Sequence, residues 1–153
     1  MYRICKSFTF EAGHQLEDAI TAKCHECVHG HSYTVEVYAE DKGLDKDDMV
    51  VDFAVFKPLK KWVMDNWDHG LLLHVHKRSA YTPLIDAGVL HRERVHFYAH
   101  SPTAEFMAKW LHQVAVDLMR GQLGPDYDKC TWRIVKVRIH ETATGWAEYD
   151  SRS

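Results

Sequence analysis

The stretch His29–Glu40, HGHSYTVEVYAE, alternates in hydropathy: Tyr33, Val35, Val37 and Ala39 stand against Ser32, Thr34, Glu36 and Tyr38. A period of two marks a strand with one buried face, because successive side chains point to opposite sides of a sheet. Tyr2–Ala12 carries the same signal, with Ile4, Phe8 and Phe10 on or near one face. The polar turn Asp41-Lys-Gly43-Leu-Asp45 separates the second strand from a short apolar stretch, Met49–Val51, and together these segments read as an antiparallel pair. Near the other end, Thr131–His140 alternates again, and Gly145–Tyr149 follows as its hairpin partner.

Between these strands the period changes. Asp52 can cap a helix over about Phe53–Trp67, with Phe56, Leu59, Lys60, Val63 and Trp67 near helical spacing and Pro58 in or near the first turn. Ser101-Pro102 opens a second helix, the serine capping it and the proline taking the first helical position. That helix runs to about Met119 with an apolar stripe of Phe106, Trp110, Val114 and Leu118, and Gly121 and Gly124-Pro125 stop it. Pro83–Ala87 reads as a short helix and Val95–Ala99 as a short strand. The order β-β-α-α-β-β predicts an α+β fold: a four-stranded antiparallel sheet with two helices on one face. The 153 residues show no repeat or linker and form a single domain, 1–153. Such a sheet leaves edges to manage, and oligomerisation is one solution.

Bulk properties narrow the partners. A net charge of -3 gives no electrostatic reason to expect nucleic acid or an anionic membrane. Apolar runs such as Gly70–Leu73 are too short to span a bilayer. Lys6 and Glu11 interrupt any signal-peptide core at the N-terminus, so a cytoplasmic location is the default. Four cysteines do not suggest a disulfide framework. Cys5 and Cys130, in strand-like segments, read as buried thiols. Of the twelve histidines, those such as His91 and His96 read as surface or hydrogen-bonding residues.

The clustered histidines are different. CHECVHGHSY, residues 24–33, holds two cysteines, three histidines and a glutamate. On a strand His29 and His31 project the same way, and Gly30 between them lets something pack closely on the opposite face. His14, at the end of the preceding strand, can join them in an antiparallel pairing. Three imidazoles make a zinc site with one open position, which is the catalytic arrangement, whereas Cys24, Cys27, His29 and His31 would make a closed, structural one. Spacing leaves both open, together with a third reading in which the histidines are hydrogen-bonded structural residues that bind no metal. Asp68-His69, after the first helix, can form a proton shuttle, or simply a histidine facing a helix end. In His140-Glu141-Thr142, a carboxylate follows an apolar strand and reads by itself as a solvated strand end.

Taken in order, FTFEAGH (8–14), HGHSY (29–33), VVDFAVFK (50–57), WDHGLLL (67–73), SPTAEFMAKWL (101–111) and IHETATG (139–145) resemble the 6-pyruvoyltetrahydropterin synthase / 6-carboxytetrahydropterin synthase family over nearly the whole chain. The resemblance implies the tunnelling fold (T-fold), in which subunits join their sheets into a barrel, commonly a homohexamer of two stacked trimers with active sites between subunits. It implies a zinc ion (Zn2+) on His14, His29 and His31, a small-molecule pterin substrate, 7,8-dihydroneopterin triphosphate, and loss of triphosphate. It gives proton transfer to a general base assisted by the pair matching Asp68 and His69. Glu141 would anchor the pterin, Thr103 would lie beside its ring, and Glu105 matches a further family glutamate ranked below Glu141.

The loop before HGH departs from the family pattern. Bacterial 6-carboxytetrahydropterin synthases carry a cysteine four residues before HGH, where this chain has His25. Cys24 stands five before and Cys27 two before, while a branch with side-chain-cleaving activity uses a glutamate three before, where Glu26 stands. The base is expected at Cys24 first, Glu26 second and Cys27 third. Lys77, Arg78, Arg92 and Arg94 could neutralise a triphosphate or form a solvated basic loop. The expected function is a zinc-dependent lyase yielding 6-carboxy-5,6,7,8-tetrahydropterin, on the route to 7-deazaguanine nucleosides such as queuosine. The alternatives are a pyruvoyl product, a folate-type side-chain cleavage, or a non-catalytic structural zinc module.

Overall fold

A computed structural model describes residues 1–153. β1 (Tyr2–Gln15) and β2 (His29–Asp41) form a long antiparallel pair that sets Phe8 opposite Val35, Phe10 opposite Tyr33 and His14 opposite His29. The other edge of β2 pairs antiparallel with β5 (Arg133–His140), and β5 with β6 (Trp146–Asp150). These four strands match the alternation. Met49–Val51 contributes no strand.

The sheet is larger than four antiparallel strands. β3 (Gly70–His74) and β4 (Val95–Tyr98) add to the free edge of β1, each parallel to its neighbour, in the order β4-β3-β1-β2-β5-β6. The α+β class stands; the sheet is six-stranded and mixed. GLLLH hid its strand because a strand covered on both faces has no alternation to show, and Leu72 and Leu73 are both fully buried. Parallel neighbours need a crossover, and α3 (Arg78–Asp86) supplies it between β3 and β4. It begins well before the expected Pro83–Ala87 and carries Pro83 inside it.

Asp52 caps as expected, accepting the Ala54 N–H at 2.7 Å, but it starts a 3₁₀ turn (Phe53–Phe56) that then feeds α2 (Lys57–Asn66) with Pro58 in its first turn. The long helix α4 (Ala104–Leu123) is capped by Thr103, whose hydroxyl accepts the Phe106 N–H, so it starts two residues later than Ser101-Pro102 suggests. It passes through Gly121 and ends at Gly124, where φ is 58°. Its buried stripe is Met107, Leu111, Ala115 and Met119, one position round from the expected one, and Trp110 is exposed. Ala108 and Ala115 explain the rotation: small side chains let the helix sit close to the sheet, and the larger Phe106, Val114 and Leu118 pack at its margin.

α2 and α4 touch each other, and the core between them and the sheet gathers Phe8, Phe10, Tyr33, Val35, Leu59, Val63 and Trp67. Trp67 is wholly buried and its indole N–H donates to the Tyr98 hydroxyl at 2.7 Å. It ends α2 and turns the chain into β3, where Gly70 allows a tight approach: a Cβ there would lie 2.9 Å from the Trp67 carbonyl oxygen. Single-turn helices α1 (Ala22–His25) and α5 (Asp126–Lys129) complete the chain. Cys5 is exposed and Cys130 half-buried, against the expectation of two buried thiols, because position 5 falls on the face of β1 away from the helices. No helix is long and apolar enough to cross a membrane.

Candidate active site

The β1–β2 register does most of the building. It sets His14 directly opposite His29 and Ala12 opposite His31, so the three imidazoles share the helix-facing side while Gly13 pairs with Gly30 on the other. A Cβ on Gly30 would lie 3.4 Å from the Ala12 carbonyl oxygen, which accounts for the glycine between the histidines.

Hydrogen bonds then fix the protons. His14 Nδ1 lies 2.8 Å from the Pro102 carbonyl and His29 Nδ1 lies 3.2 Å from the Cys27 carbonyl. A carbonyl only accepts, so each Nδ1 carries the hydrogen and each Nε2 presents a lone pair. Those two Nε2 atoms sit 2.9 Å apart. His31 Nε2 is buried with no partner at all. Glu141 Oε1 completes the ring of acceptors, 3.7 Å from His14 Nε2 and 3.9 Å from His31 Nε2. The His14 and His29 lone pairs thus face each other with no donor between them, beside an unpartnered His31 nitrogen and a carboxylate oxygen, an arrangement that could hold a cation. One nitrogen from each of the three histidines lies within 4.8 Å of the others, and three imidazoles with room beside them suit zinc. Burial holds the His14 and His31 pKa values below the ordinary histidine range, despite the Pro102 hydrogen bond on His14 and the Glu141 charge facing both. Neutral imidazole is the ligating form.

Neither cysteine belongs to this cluster, so the closed two-cysteine site is not formed. Cys24 is half-buried in α1, which is tied down by a hydrogen bond from the Leu16 N–H to the Cys24 carbonyl (3.0 Å) and by the Gln15 amide on the His25 carbonyl (2.7 Å). Cys27 is exposed and lends the histidines its carbonyl alone, and Glu26 is exposed with no side-chain hydrogen bond.

Asp68 and His69 form the expected pair, His69 Nδ1 to Asp68 Oδ2 at 2.8 Å. Asp68 Oδ1 also accepts the Glu11 N–H at 2.9 Å, and His69 takes a left-handed conformation (φ 54°) that turns it out of the strand. Partial desolvation would raise the Asp68 pKa, but the Glu11 N–H, His69 and Arg94 outweigh it and hold the carboxyl below its usual range. The carboxylate thus fixes the proton on Nδ1 and leaves His69 Nε2 free to accept one. With Glu11, Gly13, Gly30 and Ser32, His69 lines a cleft of about 380 Å³ that also touches His31. By strand alternation Glu11 and Ser32 belong to the face opposite the metal ligands, and no hydrogen bond joins His69 to the histidine cluster within one chain.

Thr103 follows Pro102, whose carbonyl orients His14, and its hydroxyl is engaged as the α4 cap. Glu105 is exposed in the first turn of α4. Of the basic residues, Arg94 is bound to the Asp65 and Asp68 carbonyls, Arg92 pairs with Asp86, and Arg78 stacks on Phe97. Sequence reasoning missed Tyr33, whose hydroxyl lies 3.3 Å from His14 Nδ1, and the Glu11–Ser32 hydrogen bond of 2.7 Å in the cleft. The β1–β2 register, once known, places both: Tyr33 falls two residues beyond His31, and Glu11 falls opposite Ser32.

Fold and site together define a class, an α+β protein whose mixed sheet carries an open three-histidine centre. Residues 3–152 match the family model of 6-pyruvoyl tetrahydropterin synthase, and the chain belongs to that family. Among its relatives, the 6-carboxy-5,6,7,8-tetrahydropterin synthase of Rickettsia felis is 30% identical over 97% of this chain and 99% of its own. The enzyme of the same name from Aquifex aeolicus is 32% identical over 97% of each. Solved structures share the fold: an uncharacterized protein from Wolinella succinogenes (20% identical, TM-score 0.76, 97% of each chain) and the Caenorhabditis elegans 6-pyruvoyl tetrahydropterin synthase (20%, TM-score 0.64, 97% of this chain and 94% of that one).

Proposed function

We propose that the chain is a zinc-dependent lyase that converts 7,8-dihydroneopterin triphosphate and water to 6-carboxy-5,6,7,8-tetrahydropterin, with loss of triphosphate and release of the two outer side-chain carbons as acetaldehyde. The observation that carries this is the convergence of one nitrogen each from His14, His29 and His31, with the His14 and His29 lone pairs 2.9 Å apart, in a chain whose full-length relatives bear the 6-carboxy name. Bound there, zinc would supply Lewis acidity toward the hydroxyls of the pterin side chain.

The remaining work falls to the protein's own groups. Glu141 holds the pterin through two parallel N–H···O bonds at its 2-amino and N3 edge, and its carboxylate already lies beside the histidines. Thr103 lies beside the ring, and Glu105 plays a lesser part at the helix start. Proton abstraction belongs to the CHEC loop, to Cys24 first and Glu26 second; Cys24 is the less exposed of the two. His69, oriented by Asp68, receives and returns protons through Nε2.

In this scheme the two halves of the site come from different copies. His69, oriented by Asp68, lines a cleft with Glu11 and Ser32 and makes no hydrogen bond to the histidine cluster of its own chain, which supports a site shared between subunits. β4 and β6 end the sheet with unpaired edges, and edge-to-edge joining of copies into a barrel, a homohexamer in the full assembly, would cover them. The enzyme acts in the cytoplasm, without nucleic acid or membrane.

The test is incubation of zinc-loaded protein with 7,8-dihydroneopterin triphosphate, followed by chromatography of pterins and triphosphate. Released triphosphate together with 6-carboxytetrahydropterin is the expected result. A pyruvoyl or side-chain-cleaved pterin would move the chain to another branch, and an unchanged substrate would remove the enzymatic assignment.

A further inference from the structure

A second cluster of metal-ligating groups lies beyond the site described above. The parallel pairing of β1 with β3 carries Gln15 alongside Leu73, so Glu17 comes beside the turn that follows β3, where His74 and His76 stand. One ligand atom from each of Glu17, His74 and His76 lies within 4.8 Å of the other two.

The proton positions again decide what the cluster can hold. His74 Nε2 lies 3.1 Å from the Ala99 carbonyl and must carry the hydrogen. Its Nδ1 is therefore a lone pair, and it faces Glu17 Oε1 at 3.8 Å. That carboxylate oxygen is buried and has no hydrogen-bond partner. His76 Nδ1 lies 4.0 Å from Glu17 Oε2, with its ring edge-on to that of His74 at 4.3 Å between centroids. No lysine or arginine pairs with Glu17. A buried carboxylate oxygen facing an imidazole lone pair is left without a hydrogen-bond donor.

We infer that Glu17, His74 and His76 form a second metal site, distinct from the three-histidine centre, for a divalent transition cation such as Zn2+. Two imidazoles and one carboxylate favour zinc, cobalt or nickel over magnesium or calcium, which prefer oxygen alone. His74 Nδ1 also accepts the His76 N–H at 3.2 Å, a long bond that ligation would release. Exposure of His76 leaves a path for the ion to enter.

The ion would act as a clamp. Glu17 donates its backbone N–H to Ser101 Oγ (3.2 Å) and His74 holds the Ala99 carbonyl, so both grip the segment that leads into α4. Pro102 in that segment orients His14. Fixing Glu17 and His74 therefore steadies the partner that sets the His14 tautomer, in the manner of other outer contacts that tune metal affinity.

The test is titration of the metal-free full-length protein with Zn2+ alone, read by calorimetry and by elemental analysis after gel filtration. The wild type should take up about two zinc ions per chain, one at each three-residue site. His76→Ala removes an exposed ligand with no side-chain hydrogen bond, and Glu17→Gln is isosteric, so both should keep the wild-type circular dichroism spectrum. Each should weaken one zinc equivalent at least about tenfold and leave the other unchanged. His29→Ala should do the reverse, losing the equivalent that His76→Ala keeps. A wild type that saturates at one zinc per chain would overturn the second site, as would a second equivalent that survives both His76→Ala and Glu17→Gln. Indifference of zinc uptake to His29→Ala would instead sink the three-histidine centre and leave this site standing.

Discussion

Replacing His31 with alanine is expected to abolish retention of the catalytic metal and to lower turnover of 7,8-dihydroneopterin triphosphate by at least about a thousandfold, the equivalent of several kcal/mol of lost transition-state stabilisation. His31 is the ligand best suited to the experiment. His14 is bound to Pro102 and packed in the core, so its loss would disturb folding as well. His31 Nε2 has no hydrogen-bond partner, and the chain gives up little when it goes. Thermal unfolding of the metal-free variant should therefore stay near that of the metal-free wild type, while zinc content at this site and turnover both collapse. Turnover within tenfold of wild type, with the triad's zinc gone, would mean that the histidines are not the working centre.

Asp68→Asn should reduce kcat by about 10²- to 10⁴-fold, the usual range for loss of a positioned acid–base group, with KM little changed. The carboxylate accepts two N–H donors at once, from Glu11 at 2.9 Å and His69 at 2.8 Å. An amide has one acceptor oxygen and one donor nitrogen, so it can satisfy only one of those partners. If it keeps Glu11, its NH₂ group faces His69 Nδ1 and drives the hydrogen to Nε2, where the lone pair is needed. Stopped-flow or steady-state kinetics, with zinc content measured on the same samples, would separate this from a metal effect. An unchanged kcat would assign the pair a purely structural role at the start of β3.

How much of this was legible beforehand depended on whether the signal was local. Alternation along Tyr2–Ala12 and His29–Glu40 is a property of each strand alone, and it was enough to bring His14 near His29 and His31. β3 was invisible for the opposite reason: Leu72 and Leu73 are buried on both sides, so nothing alternates. Missing β3 also hid the parallel edge, the crossover role of the helix expected at Pro83–Ala87, and the Glu17/His74/His76 cluster, whose members meet only when β1 and β3 lie side by side. The α4 stripe was misplaced by one position because two neighbouring apolar rows compete, and sheet contact selects the row with alanines in it. Thr103 displaced Ser101 as the cap, since the Ser101 hydroxyl accepts the Glu17 N–H instead. That His69 shares a cleft with Glu11, His31 and Ser32 yet makes no hydrogen bond to the histidine cluster could not be read from spacing at all; it is a consequence of register.

The central claim is an open centre of histidines with the CHEC cysteines left out of it. X-ray absorption at the zinc edge, on protein loaded with one zinc ion per chain in the Glu17→Gln background, measures that directly. The expected spectrum contains nitrogen and oxygen neighbours at about 2.0–2.1 Å and no sulfur shell. A sulfur shell at about 2.3 Å would put Cys24 or Cys27 on the metal and contradict the account.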